Sequence, residues 1–229
     1  MSIGQTLHTQ RHLASVASSG ISGEPVYRTF EQLLTQLDLT GDILDFGAGR
    51  GNLSGRLLEL GRFNSITAVD LMQRPEEIDE SIEWMAWDLN NAIAIPDHSF
   101  DVIVSAEVIE HLENPRAVAR EWFRLLRPGG TLIFSTPNNE SWRSLVALVL
   151  RGHFVGFSDT CYPAHITALL RKDIERILGE AGFSSPTFVF TNVGGLPKIP
   201  QLQWQTLSGG LLKGLRYSDN LLAIAHKTA

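Results

Sequence analysis

Asp42-Ile43-Leu44-Asp45-Phe46-Gly47-Ala48-Gly49-Arg50-Gly51 begins as a short apolar run and ends in a loop with glycine at every second position. Beyond it, Leu53, Leu57, Leu58 and Leu60 mark the buried side of a helix, and Gly61 marks its stop. The stretch reads as strand, glycine loop, helix. In open α/β sheets, ligands bind at the carboxyl ends of the strands, near the switch in strand order. Glycine there lets the backbone approach a ligand that a Cβ would push away. The spacing also discriminates between ligands. A dinucleotide fingerprint puts its third glycine three residues after the second, where this chain has Asn52. The bland alternative is a generic tight turn.

The same alternation continues outward. Residues 65–69, 82–87 and 100–105 read as strands, and residues 127–130 (Arg-Pro-Gly-Gly) as a turn before a strand at 131–135. Upstream, Phe30, Leu33, Leu34 and Leu37 give residues 27–39 an amphipathic helical period. Residues 107–126 read as helix, interrupted near Asn114-Pro115, where proline can restart one. Helices are expected over 142–150 and over 171–181, the latter with Ile174, Ile177 and Leu178 inward. Residues 188–190 and 221–225 read as two final strands, separated by a Gly/Pro-rich stretch. Strands alternating with helices predict a doubly wound, Rossmann-like α/β fold with helices on both faces of a parallel sheet. Residues 1–23 show no period and read as a loose arm, or a lid that orders on ligand binding. One domain over 1–229 is expected.

Composition narrows the function. Hydrophobic residues make up 43% and charged residues 19%, enough apolar surface for one core. A net charge of -6, with no dense basic run, argues against a general affinity for nucleic acid. Cys161 is the sole cysteine, which excludes an intrachain disulfide and fits a reducing compartment. The amino terminus lacks the basic start and apolar run of a signal peptide, so a cytoplasmic protein is expected. The apolar run at 145–150, flanked by Arg143 and Arg151, is too short for stable membrane insertion. It could touch a membrane surface, although packing against the body is the expected outcome.

Two aspartates extend the glycine loop. Asp70 ends the second strand, about twenty residues on, where a carboxylate can accept from both hydroxyls of a ribose. Asp88 ends the third, where it can accept from an adenine amine beside apolar Leu89. A solvated strand end and a helix cap are the respective alternatives.

The ordered set of residues 45–51, Asp70, Asp88, residues 100–111 and residues 126–130 resembles class I S-adenosylmethionine-dependent methyltransferases. It resembles especially the subgroup that includes the ubiquinone-biosynthesis O-methyltransferases, and more loosely resembles bacterial small-molecule and polysaccharide-tailoring enzymes. The resemblance implies a seven-stranded sheet whose last strand, at 221–225, is antiparallel. It implies a cofactor-binding core over 41–137, with acceptor-side insertions and the last strands over 138–229. S-adenosylmethionine would be held by Asp45, Gly47, Gly49, Gly51, Asp70, Leu71, Asp88, Leu89 and the backbone near Ala106. The acceptor would be a small molecule, methylated at oxygen. A non-catalytic S-adenosylmethionine-binding partner is the alternative. A nicotinamide oxidoreductase is disfavoured by Asn52 and by the lack of a Tyr-x-x-x-Lys pair.

Glu107, Glu110 and His111 form the remaining constellation. Positions i, i+3 and i+4 share one face if the helix starts near Glu107. His111 then acts as a general base, or the three hold a magnesium ion, for which histidine is a poor ligand. A polar helix start is the bland reading. Glu107 and His165 are further catalytic candidates. Trp142, Phe154, Phe157 and Tyr162 could roof an apolar acceptor, though aromatics at such spacing are more often core. His8 and His12 lie one helical turn apart, but without further ligands they make no metal site.

Overall fold

The computed structural model describes residues 9, 11, 13, 14, 18 and 20–228. His8 and His12 lie outside them. A seven-stranded sheet forms the centre. Its strands are β1 (Gly41–Phe46), β2 (Phe63–Asp70), β3 (Ile82–Ala86), β4 (Phe100–Ala106), β5 (Leu126–Pro137), β6 (Thr187–Phe190) and β9 (Asn220–His226). The order is β3-β2-β1-β4-β5-β9-β6. Pairs from β3 through β5 are parallel, whereas β9 runs antiparallel to both β5 and β6. The chain winds outward from β1 to β3, then returns to the other side of β1 at β4. That reversal opens a crevice at the carboxyl ends of β1 and β4.

Each central strand is apolar on both faces. Leu44 and Phe46 of β1, Ile103 of β4, and Leu132 and Phe134 of β5 enter one core. Ile43, Val102, Val104 and Ile133 enter the other. Buried parallel strands read as near-continuous apolar runs for this reason. Helices α3 (Pro115–Leu125) and α5 (Arg171–Ala181) cover the first face with Trp122, Leu125, Ile174 and Leu178. Helices α1 (Glu24–Gln36) and α2 (Asn52–Leu60) cover the second with Phe30, Leu34, Leu53 and Leu57. Both sides of the sheet carry helices, as the alternation predicts.

Three local readings are corrected. No helix begins at Glu107. That residue has φ 56, a single 3₁₀ turn spans Ile109–His111, and α3 begins only at Pro115, capped by the Asn114 side chain. The Arg-Pro-Gly-Gly stretch is not a free turn before a strand but a bulge inside β5. Leu126 pairs with Phe100, whereas Thr131 already pairs with Val102. The bulge lets Arg127 bridge Asp42 and Asp101 at the amino ends of β1 and β4. Finally, the Gly/Pro-rich stretch contains a small hairpin, β7 (Gly195–Leu196) with β8 (Ile199–Gln203).

Helix α4 (Trp142–Arg151) departs from the expectation that its apolar run packs inward. Ser144 and Ala147 are its buried residues, while Val149 is 82% and Leu150 62% exposed. Among the described residues no helix is long and apolar enough to cross a membrane.

Candidate active site

The crevice is a cavity of about 500 Å³ at the switch point. The glycine loop forms its floor. Gly47 has φ 87, and a Cβ there would lie 2.3 Å from the Val108 side chain. Gly49 has φ 57, and its Cβ would lie 2.4 Å from the Gly20 carbonyl oxygen. Both positions need glycine twice over, for the left-handed backbone and for the close approach. Gly51 caps α2 and lies outside the cavity lining.

Asp70 reaches this loop from β2. Its Oδ2 accepts from the Gly49 amide and its Oδ1 from the Met72 amide, each at 2.8 Å. Burial raises its pKa, against the backbone donors of Met72, Gly49 and Leu71. Asp45 ends β1 almost wholly buried. Its Oδ2 accepts from the Ser54 hydroxyl at 2.6 Å, and its Oδ1 has no partner among the described residues. Burial first, and then the Asp70 charge, push its carboxyl up to about 7.

That shift carries a stability consequence with a definite sign. An acid whose pKa is higher folded than unfolded binds more protons when folded, so stability falls as pH rises between the two values. For Asp45 the window runs from about 4 to about 7. Asp45→Asn keeps an acceptor for Ser54 but removes the ionisation. The variant should therefore gain stability relative to wild type as pH is raised from 4 to 7. Urea denaturation across that range measures the difference. A constant difference would show that Asp45 does not titrate there.

Asp88 and Leu89 line the same cavity, as do Leu71 and Ala106. Asp88 Oδ1 accepts from the Asn90 backbone and side chain, while its Oδ2 is ion-paired with Arg11 at 2.7 Å. Arg11 also bonds both carboxylate oxygens of Glu113. Described residues before α1, Arg11 and Gly20 to Ser22 among them, thus line one wall. The Gly20 carbonyl accepts from the Arg50 amide, and the Ser22 hydroxyl donates to the Ala106 carbonyl. The sequence carried no signal for Arg11 or Ser22, because the arm has no period.

The turn after β4 supplies another wall, with Val108 packed against Gly47. Glu107 lines the cavity, its carboxylate bonded to the Asn220 side chain and held by Ser22 and the Gly23 amide. Burial nevertheless raises its pKa. Glu110 points into the protein instead. It is 0% exposed, accepts from the Thr136 hydroxyl through Oε2, and leaves Oε1 without a partner among the described residues. Burial, with the nearby Glu107 charge, holds its carboxyl well above the ordinary range. The one-face arrangement of Glu107, Glu110 and His111 therefore does not form.

His111 lies at the cavity wall with its Nδ1 2.8 Å from the Ala164 carbonyl oxygen. A carbonyl only accepts, so Nδ1 carries the proton and the neutral ring keeps its lone pair on Nε2. Burial lowers its pKa, against the Ala164 and Glu107 carbonyls. His165 packs edge-on against His111, with ring centroids 4.8 Å apart, and its buried Nδ1 has no partner among the described residues. Burial and the His111 charge lower its pKa as well. Glu110, His111 and His165 each offer a ligand atom within 4.8 Å of the others. Of the expected aromatic roof, Tyr162 lines the cavity and Phe157 backs His165. Trp142 instead stacks with Arg216, outside the lining.

The switch-point cavity and its aspartate-flanked glycine loop have the arrangement expected of a class I S-adenosylmethionine-dependent methyltransferase. Residues 21–185 match the family model described as a methyltransferase domain, and the chain belongs to that family. A ubiquinone biosynthesis O-methyltransferase of Xanthomonas oryzae pv. oryzae is 31% identical over 154 residues, 60% of this chain. The match spans 64% of that relative's own length. Among solved structures, a SAM-dependent methyltransferase from Archaeoglobus fulgidus superposes with TM-score 0.64 at 18% identity, covering 90% of this chain and 95% of that one. The 1,6-didemethyltoxoflavin-N1-methyltransferase of Burkholderia thailandensis gives TM-score 0.58 at 20% identity, covering 90% and 79%. At such identities the two structures speak for the fold.

Proposed function

We propose that this chain moves the methyl group of S-adenosylmethionine to an oxygen of a small-molecule acceptor, with His111 as general base. The observation that carries the reading is the 2.8 Å contact between His111 Nδ1 and the Ala164 carbonyl oxygen. The Ala164 carbonyl, which can only accept, favours the proton on Nδ1, so Nε2 is the ring's basic atom, on the cavity wall built after β4. In this reading Gly47 and Gly49 seat the methionine portion of the cofactor. Asp70 holds the ribose, and Asp88 with Leu71 and Leu89 borders the adenine. Asp45 Oδ1, which lacks a partner, is free to accept from the cofactor's polar end, and the backbone at Ala106 flanks that end.

Methyl transfer from a sulfonium is an in-line displacement. The acceptor oxygen forms the new bond to carbon as the carbon–sulfur pair leaves with sulfur. Positioning supplies much of the rate. A pocket that excludes water helps opposite charges disperse, provided the hydroxyl proton can leave. Nε2 of His111 accepts that proton, with His165 packed against the ring and Glu107 along the same wall. The ubiquinone-pathway relative supports an oxygen acceptor, in agreement with a base of this kind.

A second reading rests on two of the buried atoms that have no partner among the described residues, Glu110 Oε1 and His165 Nδ1. With His111 they offer two imidazoles and one carboxylate. That donor set fits an ion that takes nitrogen, such as zinc, manganese or iron, and fits magnesium poorly. When bound, such an ion would supply a Lewis acid that lowers the pKa of an acceptor hydroxyl. Glu107, tied to Asn220 and Ser22, stands outside this set.

The cofactor assignment is tested by calorimetric titration with S-adenosylmethionine, S-adenosylhomocysteine and NAD. Binding of either sulfur compound without NAD binding is the expected result. NAD binding with no response to the sulfur compounds would overturn it.

A further inference from the structure

We infer that the exposed end of α4, together with the β7–β8 hairpin, is a docking face for an anionic lipid surface. A second cavity of about 200 Å³ lies between them, its apolar lining including Val146, Leu150, Val155 and Pro197. Arg151 and Lys198 line the same cleft, and no acidic side chain does. Neither cation has an ion-pair partner among the described residues. Around the cleft the surface is aliphatic. Val149 and Leu150 stand almost free, and Ile199, between Lys198 and Pro200 at the hairpin tip, is 51% exposed. Aliphatic side chains at a helix end, with Lys and Arg beside them, suit the boundary between headgroups and acyl chains.

Charge selects the occupant. The chain as a whole carries -6, so two cations without an ion-pair partner among the described residues, beside exposed aliphatic side chains, run against the background. A second copy meeting this face about a two-fold axis would set Arg151 and Lys198 against their own equivalents. An anionic bilayer instead draws both cations in and receives the aliphatic side chains between them.

The face also adjoins the candidate active site. The 3₁₀ turn Val155–Phe157 carries Val155 in the cleft, while the Phe157 ring lies 5.6 Å from that of His165. Docking on α4 would therefore set the His165 side of the large cavity toward the lipid surface. The docking face stands on its own observations, whatever the acceptor.

Sedimentation of the full chain with vesicles tests it. Binding is expected to vesicles of phosphatidylcholine containing phosphatidylglycerol, weakening in high salt, and to be much weaker with phosphatidylcholine alone. Val149→Glu/Leu150→Glu should lower partitioning at least tenfold. Arg151→Gln/Lys198→Gln should lower it by roughly fivefold per cation. Both variants should keep the wild-type melting temperature, since these side chains face outward. No binding to the anionic vesicles would overturn the inference, as would binding that neither variant weakens. A dimer in ultracentrifugation that Val149→Glu/Leu150→Glu dissociates would assign the face to a second copy and overturn it as well.

Discussion

Asp70→Ala should weaken binding of S-adenosylhomocysteine by roughly two to four orders of magnitude. A hydrogen bond to a charged group contributes about 1.5 to 3 kcal/mol, and a ribose presents two hydroxyls to one carboxylate. Part of the loss arises before any ligand arrives. The Asp70 oxygens also hold the amides of Gly49 and Met72, so the carboxylate sets the conformation of the loop that seats the cofactor. Freeing two amides costs stability too, about 1 to 3 kcal/mol for each that stays buried and unpaired. Asp70→Asn separates the effects. The amide oxygen can keep one backbone donor while the charge is lost, so Asn should melt closer to wild type than Ala and still bind at least tenfold more weakly. Calorimetric titration and thermal melts on both variants measure this. Wild-type affinity alongside a collapsed melting temperature would make Asp70 purely structural.

The legible part of this chain is where local sequence decides local structure. The glycine loop, the strand-end positions of Asp45, Asp70 and Asp88, and the 221–225 strand follow from apolar runs bounded by turn residues. Each of these is a short-range pattern, whereas the antiparallel direction of that last strand is implied only by the family resemblance. What escaped depends on contacts far apart in sequence. Glu110 faces inward because Thr136 on β5 receives it. His165 joins His111 because the amides of Ile166 and Thr167 bond to the Glu110 carbonyl. Arg11 reaches Asp88 across 77 residues of chain. The i, i+3, i+4 reading of residues 107–111 failed for a local reason as well. The amide of Glu107 is bonded to Ser135, and its left-handed backbone ends β4 without entering a helix. The bulge at 127–130 escaped because Arg-Pro-Gly-Gly is turn chemistry, and only pairing on both sides of it shows that the strand continues.

His111→Ala should lower kcat by roughly 10²- to 10⁴-fold, the range of general acid–base catalysis, while leaving the affinity for S-adenosylhomocysteine close to wild type. The split follows from position, since His111 lines the cavity wall built after β4 and its ring is bonded to Ala164, not to the glycine loop. Its pKa sets the form of the pH profile. A base works when deprotonated, and burial lowers the His111 value, so the acidic limb of kcat/KM should fall below the ordinary histidine value of about 6.5. In His111→Ala that limb should vanish. The metal reading predicts different behaviour in the same assays. Chelation would abolish wild-type turnover, zinc or manganese would restore it, and Glu110→Gln and His165→Ala would each lower metal content. If the base acts alone, chelation leaves the rate unchanged. Glu110→Gln, which keeps an acceptor for Thr136, then costs little. Full activity in His111→Ala with no response to chelator would defeat both readings. The turn at Ile109–His111 would then serve the fold, holding the 164–167 segment through the Glu110 carbonyl and the His111 ring.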